Sequence, residues 1–168
     1  AIVFSQGVEV SMVSRGDSTL RGHFPSDLVS LETGMRGETV QHDAWIVVPF
    51  FKAGGRITAG DVHFVEQQGT TAATPPGSGT DHDDNAVALV PAGETEFARD
   101  KAFGYRSSNL VDWIREKASP PAATERVVSV SLRDLREGGP AVVRKRLGEA
   151  KGGCVVVNAV EERDLQVD

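Results

Sequence analysis

Apolar and polar positions alternate with two different periods along the 168 residues. Residues 8–14, VEVSMVS, alternate one by one and predict a half-buried strand. From Phe24 the period lengthens. Phe24, Leu28, Leu31 and Met35 fall at i, i+4, i+7 and i+11, one stripe of a helix with Pro25 in its first turn. Residues 44–50, AWIVVPF, are continuously apolar and predict a strand covered on both faces. DVHFVE and NAVALVP predict two more strands, arranged as a hairpin around a long tip. Residues 109–118 predict a helix capped by Ser108 or Asn109, and ERVVSVSL a strand. GGPAVVRKRLGEAK predicts a helix with Pro140 near its start and Val143, Leu147 and Ala150 turned inward; GCVVVNAV predicts a last buried strand. The expected fold class is α/β, a layered fold with a mainly parallel β-sheet flanked by helices. No internal repeat is visible.

Residues 67–84, QQGTTAATPPGSGTDHDD, break the pattern. They bury too little apolar surface to offset ordering, so an exposed, mobile loop insertion is expected. Its DHDD run reads as solvated acids in preference to a metal site.

Composition narrows the function classes. Hydrophobic content of 39 % and charged content of 25 % suit one soluble globular domain. A net charge of −6, from 18 basic and 24 acidic residues, argues against nucleic acid or an anionic membrane as partner. Cys154 is the only cysteine, which excludes an intrachain disulfide and a cysteine-built metal site; its apolar neighbours predict a buried core thiol. No apolar run approaches a membrane span and no signal peptide opens the chain, so a cytoplasmic protein is expected. The chain starts on Ala1 and ends on ERDLQVD, which reads as an element cut short; a fragment of something longer is expected.

The densest candidate chemistry lies in residues 14–28, SRGDSTLRGHFPSDL. Arg15-Gly16-Asp17 is the adhesion tripeptide, but adhesion needs an extracellular setting that one cysteine and no secretory signal do not suggest. Two readings stay open. In one, a strand delivers a Gly-, Ser- and Thr-rich turn beyond the sheet's carboxyl edge, and the helix after Gly22 offers unpaired N–H groups to an anion. Ser18 and Thr19 add hydroxyls, Arg15 and Arg21 add planar forks for a carboxylate or phosphate, and Asp17 orients an arginine or accepts a substrate hydroxyl. In the other, Asp17 and Ser18 cap a turn and Arg21 is solvated.

Weaker clusters follow. Lys52 and Arg56 flank glycines in KAGGRITAGDVHF, read as a second carboxyl-edge loop or as a structural turn. His63 reads as a hydrogen-bonded core histidine before a catalytic one. Glu96, Arg99 and Asp100 of TEFARD form an internal ion pair or line a pocket. EGGP before Pro140 reads as a weak anion site or a turn, and Arg144 to Arg146 as a solvated helix face.

SRGDSTLRGHFP closely resembles the Lys/Arg-x-Asp-Ser-Thr-Leu-Arg-Gly signature of the four-carbon acid sugar kinase family. The resemblance continues through VVPFFKAGGRITAGDVHFV, PAGETEFARDKAFGYRSSNLVDWI, SLRDLREGGPAVV and GCVVVNAVEERDL, in the family's order over most of the chain. The family's Asp-Asp-x-Thr-Gly motif and nucleotide-binding domain are absent, Gly16 stands where a larger residue is usual, and the 67–84 loop is longer than usual. The resemblance implies an N-terminal sugar-acid-binding domain, spanning residues 1–168, of a larger two-domain kinase. ATP and Mg²⁺ are then expected for the full-length protein, with none bound to this part alone. The implied partners are a small sugar acid and the C-terminal nucleotide-binding domain of the same chain; a homo-oligomer stays open. The nominated ligand contacts are Arg15, Asp17, Ser18, Arg21, Gly22, Arg56, His63 and Glu96. A non-catalytic module that senses an organic acid would use the same residues.

Overall fold

The computed structural model describes residues 13–35, 44–68, 87–118 and 125–166. The strand expected over 8–14 therefore lies mostly outside the described residues, and Val13 and Ser14 belong to no strand. Helix α1 spans Ser26–Met35, β1 Trp45–Val47, β2 Arg56–Ala59, β3 Val62–Gln68 and β4 Val87–Pro91. Then come α2 Leu110–Lys117, β5 Val127–Val130, α3 Gly139–Ala150 and β6 Cys154–Val157. Helix α2 starts where its sequence says it must. The Asn109 side chain accepts from the amides of Val111 and Asp112, satisfying two donors that the first turn leaves over.

The strands form two sheets. One is parallel, in the order β1-β6-β5; the other is antiparallel, in the order β2-β3-β4. The class is thus mixed α/β, with the described strands divided evenly between the two kinds of sheet, where the sequence pattern suggested a mainly parallel one. The reason is local. Gly60 and Asp61 both take positive φ, 58° and 64°, and a two-residue turn of that hand fits the twist of an antiparallel hairpin. Residues 56–59, expected to be loop, therefore fold back as β2 against β3. The hairpin of β3 and β4 matches expectation, except that Gln67 and Gln68 belong to β3, paired with Ala88 and Val87, and not to the loop. The remainder of 67–84 lies outside the described residues.

Strand β6 is the centre of the parallel sheet, and its alternation feeds two cores. Cys154 and Val156 join a cluster with Leu20, Trp45, Val65, Tyr105, Leu110, Trp113 and Ile114. Val155 points the other way, to Val130 and Ala150, where Val143 and Leu147 of α3 pack. The inward stripe expected of α3 is the one observed. The Cys154 thiol is buried, and burial pushes it up to about 11, as suits a core residue. Phe24, just ahead of helix α1, stacks on Trp113 with ring centroids 4.8 Å apart, and Leu28 of α1 packs on the same cluster; the helix begins at Ser26, so Pro25 precedes it and is not in its first turn. Strand β1 is open on one face, contrary to the covered strand expected over 44–50. Ile46, level with Val155, is 58 % exposed because α3 packs on β5 and β6 and stops short of the β1 edge.

The carboxyl ends of β5 and β6 are closed by the β2–β3 turn. The Asp61 carboxylate accepts from Ser129 Oγ at 2.5 Å and from Asn158 Nδ2 at 2.8 Å, while its amide donates to Asn158 Oδ1 at 2.8 Å. The strand ends where a ligand would sit in an open parallel sheet are thus filled by protein. Candidate chemistry has to be sought on the loops around the antiparallel sheet.

Candidate functional site

Residues 17–21 form a turn tied to itself on one side and to the core on the other. The Asp17 carbonyl accepts from the Leu20 amide at 3.0 Å. Its carboxylate accepts from the Thr19 amide at 3.1 Å, from Thr19 Oγ1 at 2.5 Å and from Arg21 Nε at 2.7 Å. Burial alone would raise the Asp17 carboxyl, but the Thr19 bonds and Arg21 outweigh it and hold it below its ordinary range. Leu20 takes a φ of 66° and buries its side chain to 3 % exposure. Left-handed backbone at a leucine is held only where its surroundings over-determine it.

Those surroundings are His63 and Tyr105. His63 is fully buried, with Nε2 2.8 Å from the Ser18 carbonyl and Nδ1 2.9 Å from Thr58 Oγ1. A carbonyl can only accept, so Nε2 carries the proton and Nδ1 accepts from the Thr58 hydroxyl. Burial is the main cause that pushes the imidazole down to about 4, assisted by the charge of Arg56, and the ring is neutral. Tyr105 donates to the Thr19 carbonyl at 2.7 Å; burial raises its phenol to about 12, so it stays a donor. Two carbonyls are pulled inward, and the side chains of Asp17 and Arg21 are left at the surface.

Arg21 meets three further partners. Its Nε lies 3.0 Å from Thr19 Oγ1, its Nη1 4.0 Å from Asp100, and its guanidinium carbon 5.0 Å from the centre of the Phe97 ring. The Asp100 carboxyl is held below its ordinary range, first by the amides of Phe103 and Ala102. Arg56 approaches the same ring, at 5.9 Å, and its Nη1 donates to the Gly54 carbonyl. Phe97 is therefore the common contact of two guanidinium groups that lie 35 residues apart in sequence, and cation–π attraction favours both approaches. Beside it opens a cleft of about 350 Å³, lined by Arg56, Glu66, Gln67, Glu96 and Phe97 over Val65. That is near the lower end of the size range of small-molecule sites. Glu96 accepts from Gln67 Nε2 at 2.9 Å. Two glycines make the turn before Arg56. A Cβ on Gly54 would lie 2.4 Å from the Phe51 ring, and Gly55, at φ 74°, passes so close to Glu66 that a Cβ would lie 2.5 Å from the Glu66 Cβ.

Of the nominated residues, Arg21 and Arg56 meet over the Phe97 ring, Glu96 lines the cleft with Arg56, and Asp17 joins them through its ion pair with Arg21. The others do not. His63 is an anchor beneath the loop, with both ring nitrogens occupied and no exposed surface, so it is displaced from the ligand-contact role by its own burial. Arg15 is exposed and makes no hydrogen bond or ion pair among the described residues. Ser18 offers its carbonyl to His63, and Gly22, at φ 138°, carries the chain out of the turn toward α1. Lys52 turns away to Glu161 and the Val160 carbonyl. Arg56 sits at the start of β2 and not in a loop. Phe97 and Tyr105 were not singled out in the sequence. An aromatic inside the charged run TEFARD was the signal available for Phe97; nothing local ties Tyr105 to a threonine 86 residues upstream. The other arginine-rich stretch is partly engaged: Arg146 pairs with Glu149 at 3.2 Å, and Arg144 and Lys145 are exposed. The EGGP segment, read as a weak anion site or a turn, is helical: Glu137 and Gly138 end a π-helical stretch over Asp134–Gly138, and Gly139, at φ 62°, opens α3. Among the described residues no group of three His, Cys, Asp or Glu could hold a metal ion, and no helix is long and apolar enough to cross a membrane.

The structure is thus a mixed α/β scaffold with a polar loop braced from below and a small side-chain-lined cleft near it. The chain belongs to the family of the sugar-binding N-terminal domain, whose pattern matches residues 3–167. The resemblance read from SRGDSTLRGHFP is borne out at that level. Over 76 residues the chain is 37 % identical to a D-threonate kinase of Salmonella typhimurium strain LT2. The matched stretch is 45 % of this chain and 17 % of that kinase, so the similarity spans less than a fifth of the relative's length. No solved structure matches the chain.

Proposed function

We propose that this chain is the substrate-binding part of an ATP-dependent kinase that phosphorylates short, four-carbon sugar acids. The family match and the kinase relative support the sugar and the transfer chemistry. The observation that carries the reading is the braced 17–21 loop, whose Arg21 lies over Phe97, a residue that lines the neighbouring cleft. Phosphoryl transfer asks the acceptor side mainly for positioning, and a loop held from below is positioned before any ligand arrives. Asp17, kept ionised by Thr19 and Arg21, is a ready acceptor for a substrate hydroxyl. ATP and Mg²⁺ supply the phosphoryl group and its charge neutralisation. The described residues offer no cluster of metal ligands, so a nucleotide-binding domain elsewhere in the same protein is the part proposed to hold them. On this reading the protein works in the cytoplasm.

The alternative is a domain that senses an organic acid without transferring phosphate. A thermal-shift screen of the chain against three- to five-carbon sugar acids tests the shared premise. A ligand of the folded state at a hundredfold over its Kd adds about 2.7 kcal/mol and raises the melting temperature. A four-carbon aldonate giving the largest rise is the expected result, and no rise with any acid refutes both readings. Transfer of phosphate from ATP by the whole protein then separates kinase from sensor.

A further inference from the structure

A second cleft, of about 490 Å³, shares no lining residue with the one at Phe97. It runs between the start of α3 and the 3₁₀ helix Glu162–Leu165 that follows β6. Its size falls within the ordinary range of small-molecule sites. Leu135 and Arg136 of its wall belong to the π-helical stretch Asp134–Gly138. Such turns are rare and occur mostly at functional sites, and the sugar-acid reading leaves this one without a role.

The lining combines two chemistries. Leu135, Pro140 and Val143 form an apolar wall, and the charged side chains along it are Arg136, Asp164 and Arg163. Arg136 holds the buried Asp164 through Nε at 2.8 Å and Nη2 at 3.0 Å, and the amides of Val160 and Glu161 also donate to that carboxylate. Those two charges offset one another. Arg163 is exposed, and its side chain makes no hydrogen bond or ion pair among the described residues. Its neighbours Glu161 and Glu162 do not line the cleft, and Glu161 is paired with Lys52. The cleft therefore carries one net positive charge beside apolar surface, in a chain whose net charge is −6. One positive charge matches one carboxylate, and only a ligand with an apolar body gains from covering the wall. A polyhydroxy acid would leave that wall unused.

We propose that this cleft binds a small monocarboxylate with an apolar body, its tail against Leu135, Pro140 and Val143 and its carboxylate on Arg163, at a site separate from the sugar acid's. The test is an NMR titration of the full chain with phenylpropionate, phenylpropanol, propionate and benzylmalonate. Shifts should centre on the amides of Gly139 and Gln166, which also border the cleft. Wild type should bind phenylpropionate about fivefold or more tightly than phenylpropanol, which keeps the tail without the charge. It should bind propionate, which lacks the ring, about tenfold or more weakly. Benzylmalonate adds a second carboxylate and should bind no more tightly than phenylpropionate. Arg163→Gln should abolish the preference for acid over alcohol and leave the melting temperature unchanged, since that side chain has no partner to lose. Pro140→Glu places a carboxylate on the exposed wall, in the first turn of α3 where an acid suits the helix, and should abolish phenylpropionate binding in a folded protein. Equal binding of acid and alcohol by wild type, an unchanged preference in Arg163→Gln, or shifts confined to residues around Phe97 overturns the proposal. So does tighter binding of benzylmalonate, or the absence of any shift with all of the probes.

Discussion

Acidification should loosen the 17–21 loop through a single buried ring. His63 is neutral in the fold with its imidazole held at about 4, against an ordinary 6.5, chiefly because burial disfavours the cation and secondarily because Arg56 lies near. A group whose folded value is depressed binds more protons when unfolded. Its contribution is therefore complete above pH 6.5 and is lost as pH falls through 4. Between pH 7 and 4.5 the linkage amounts to about 2.5 kcal/mol, a large share of a small domain's stability. The assay is urea unfolding followed by the fluorescence of Trp45 and Trp113, both buried, at half-unit pH steps. The comparison is His63→Gln. Glutamine cannot span the Ser18 carbonyl and Thr58 Oγ1 from opposite sides as the ring does, so the variant should start about 1–3 kcal/mol less stable at pH 7. It carries no titrating group, so the gap between the two proteins should close toward pH 4.5. Parallel pH profiles for the two proteins would refute the reasoning.

Two further substitutions test the frame around the site. The Asp164 side chain is 1 % exposed and takes four hydrogen bonds, from Arg136 twice and from the amides of Val160 and Glu161; Asp164→Asn should cost about 2 kcal/mol in urea unfolding. Arg136 first of all holds that carboxyl at about 2, so its contribution is present above 3.8 and lost as pH falls through 2, a dependence Asp164→Asn should lack. Gly55→Ala should cost more than about 2 kcal/mol, since it combines a left-handed backbone with a Cβ 2.5 Å from that of Glu66, and a thermal midpoint within a degree of wild type would show the turn to be pliable.

The parts of this fold written in short-range pattern were legible. The 109–118 helix shows its cap and its buried Leu110, Trp113 and Ile114 at helical spacing, and the inward stripe of α3 and the β3–β4 hairpin are equally local. What escaped was set at long range. RITA is too short to declare itself a strand, and it becomes one because Gly60 and Asp61 reverse the chain and because Thr58 pairs with Ala159, a hundred residues on. Arg21 and Arg56 were both visible as cations, but their difference lies in what surrounds them: two aspartates for one, a carbonyl and an aromatic face for the other. Charge is readable from a sequence; the company a charge keeps is not.

On the proposed reading, the same distinction governs how the loop would meet a ligand. A ligand-gripping loop that relied on its ligand for shape would spend binding energy on ordering itself. Here the shape is fixed by buried groups that do not line the cleft: His63 and Tyr105 hold the carbonyls of Ser18 and Thr19, and Leu20 fills the core from a left-handed backbone. Each of these contacts spans at least 45 residues or joins the loop to the buried cluster, so the loop's conformation follows from the stability of the whole domain. Asp17 and Arg21, fixed to one another on its outer side, are then oriented before any ligand arrives. Such preorganisation makes the loop's geometry a property of folding, which is why the His63 titration, remote from any ligand, should be felt at the cleft.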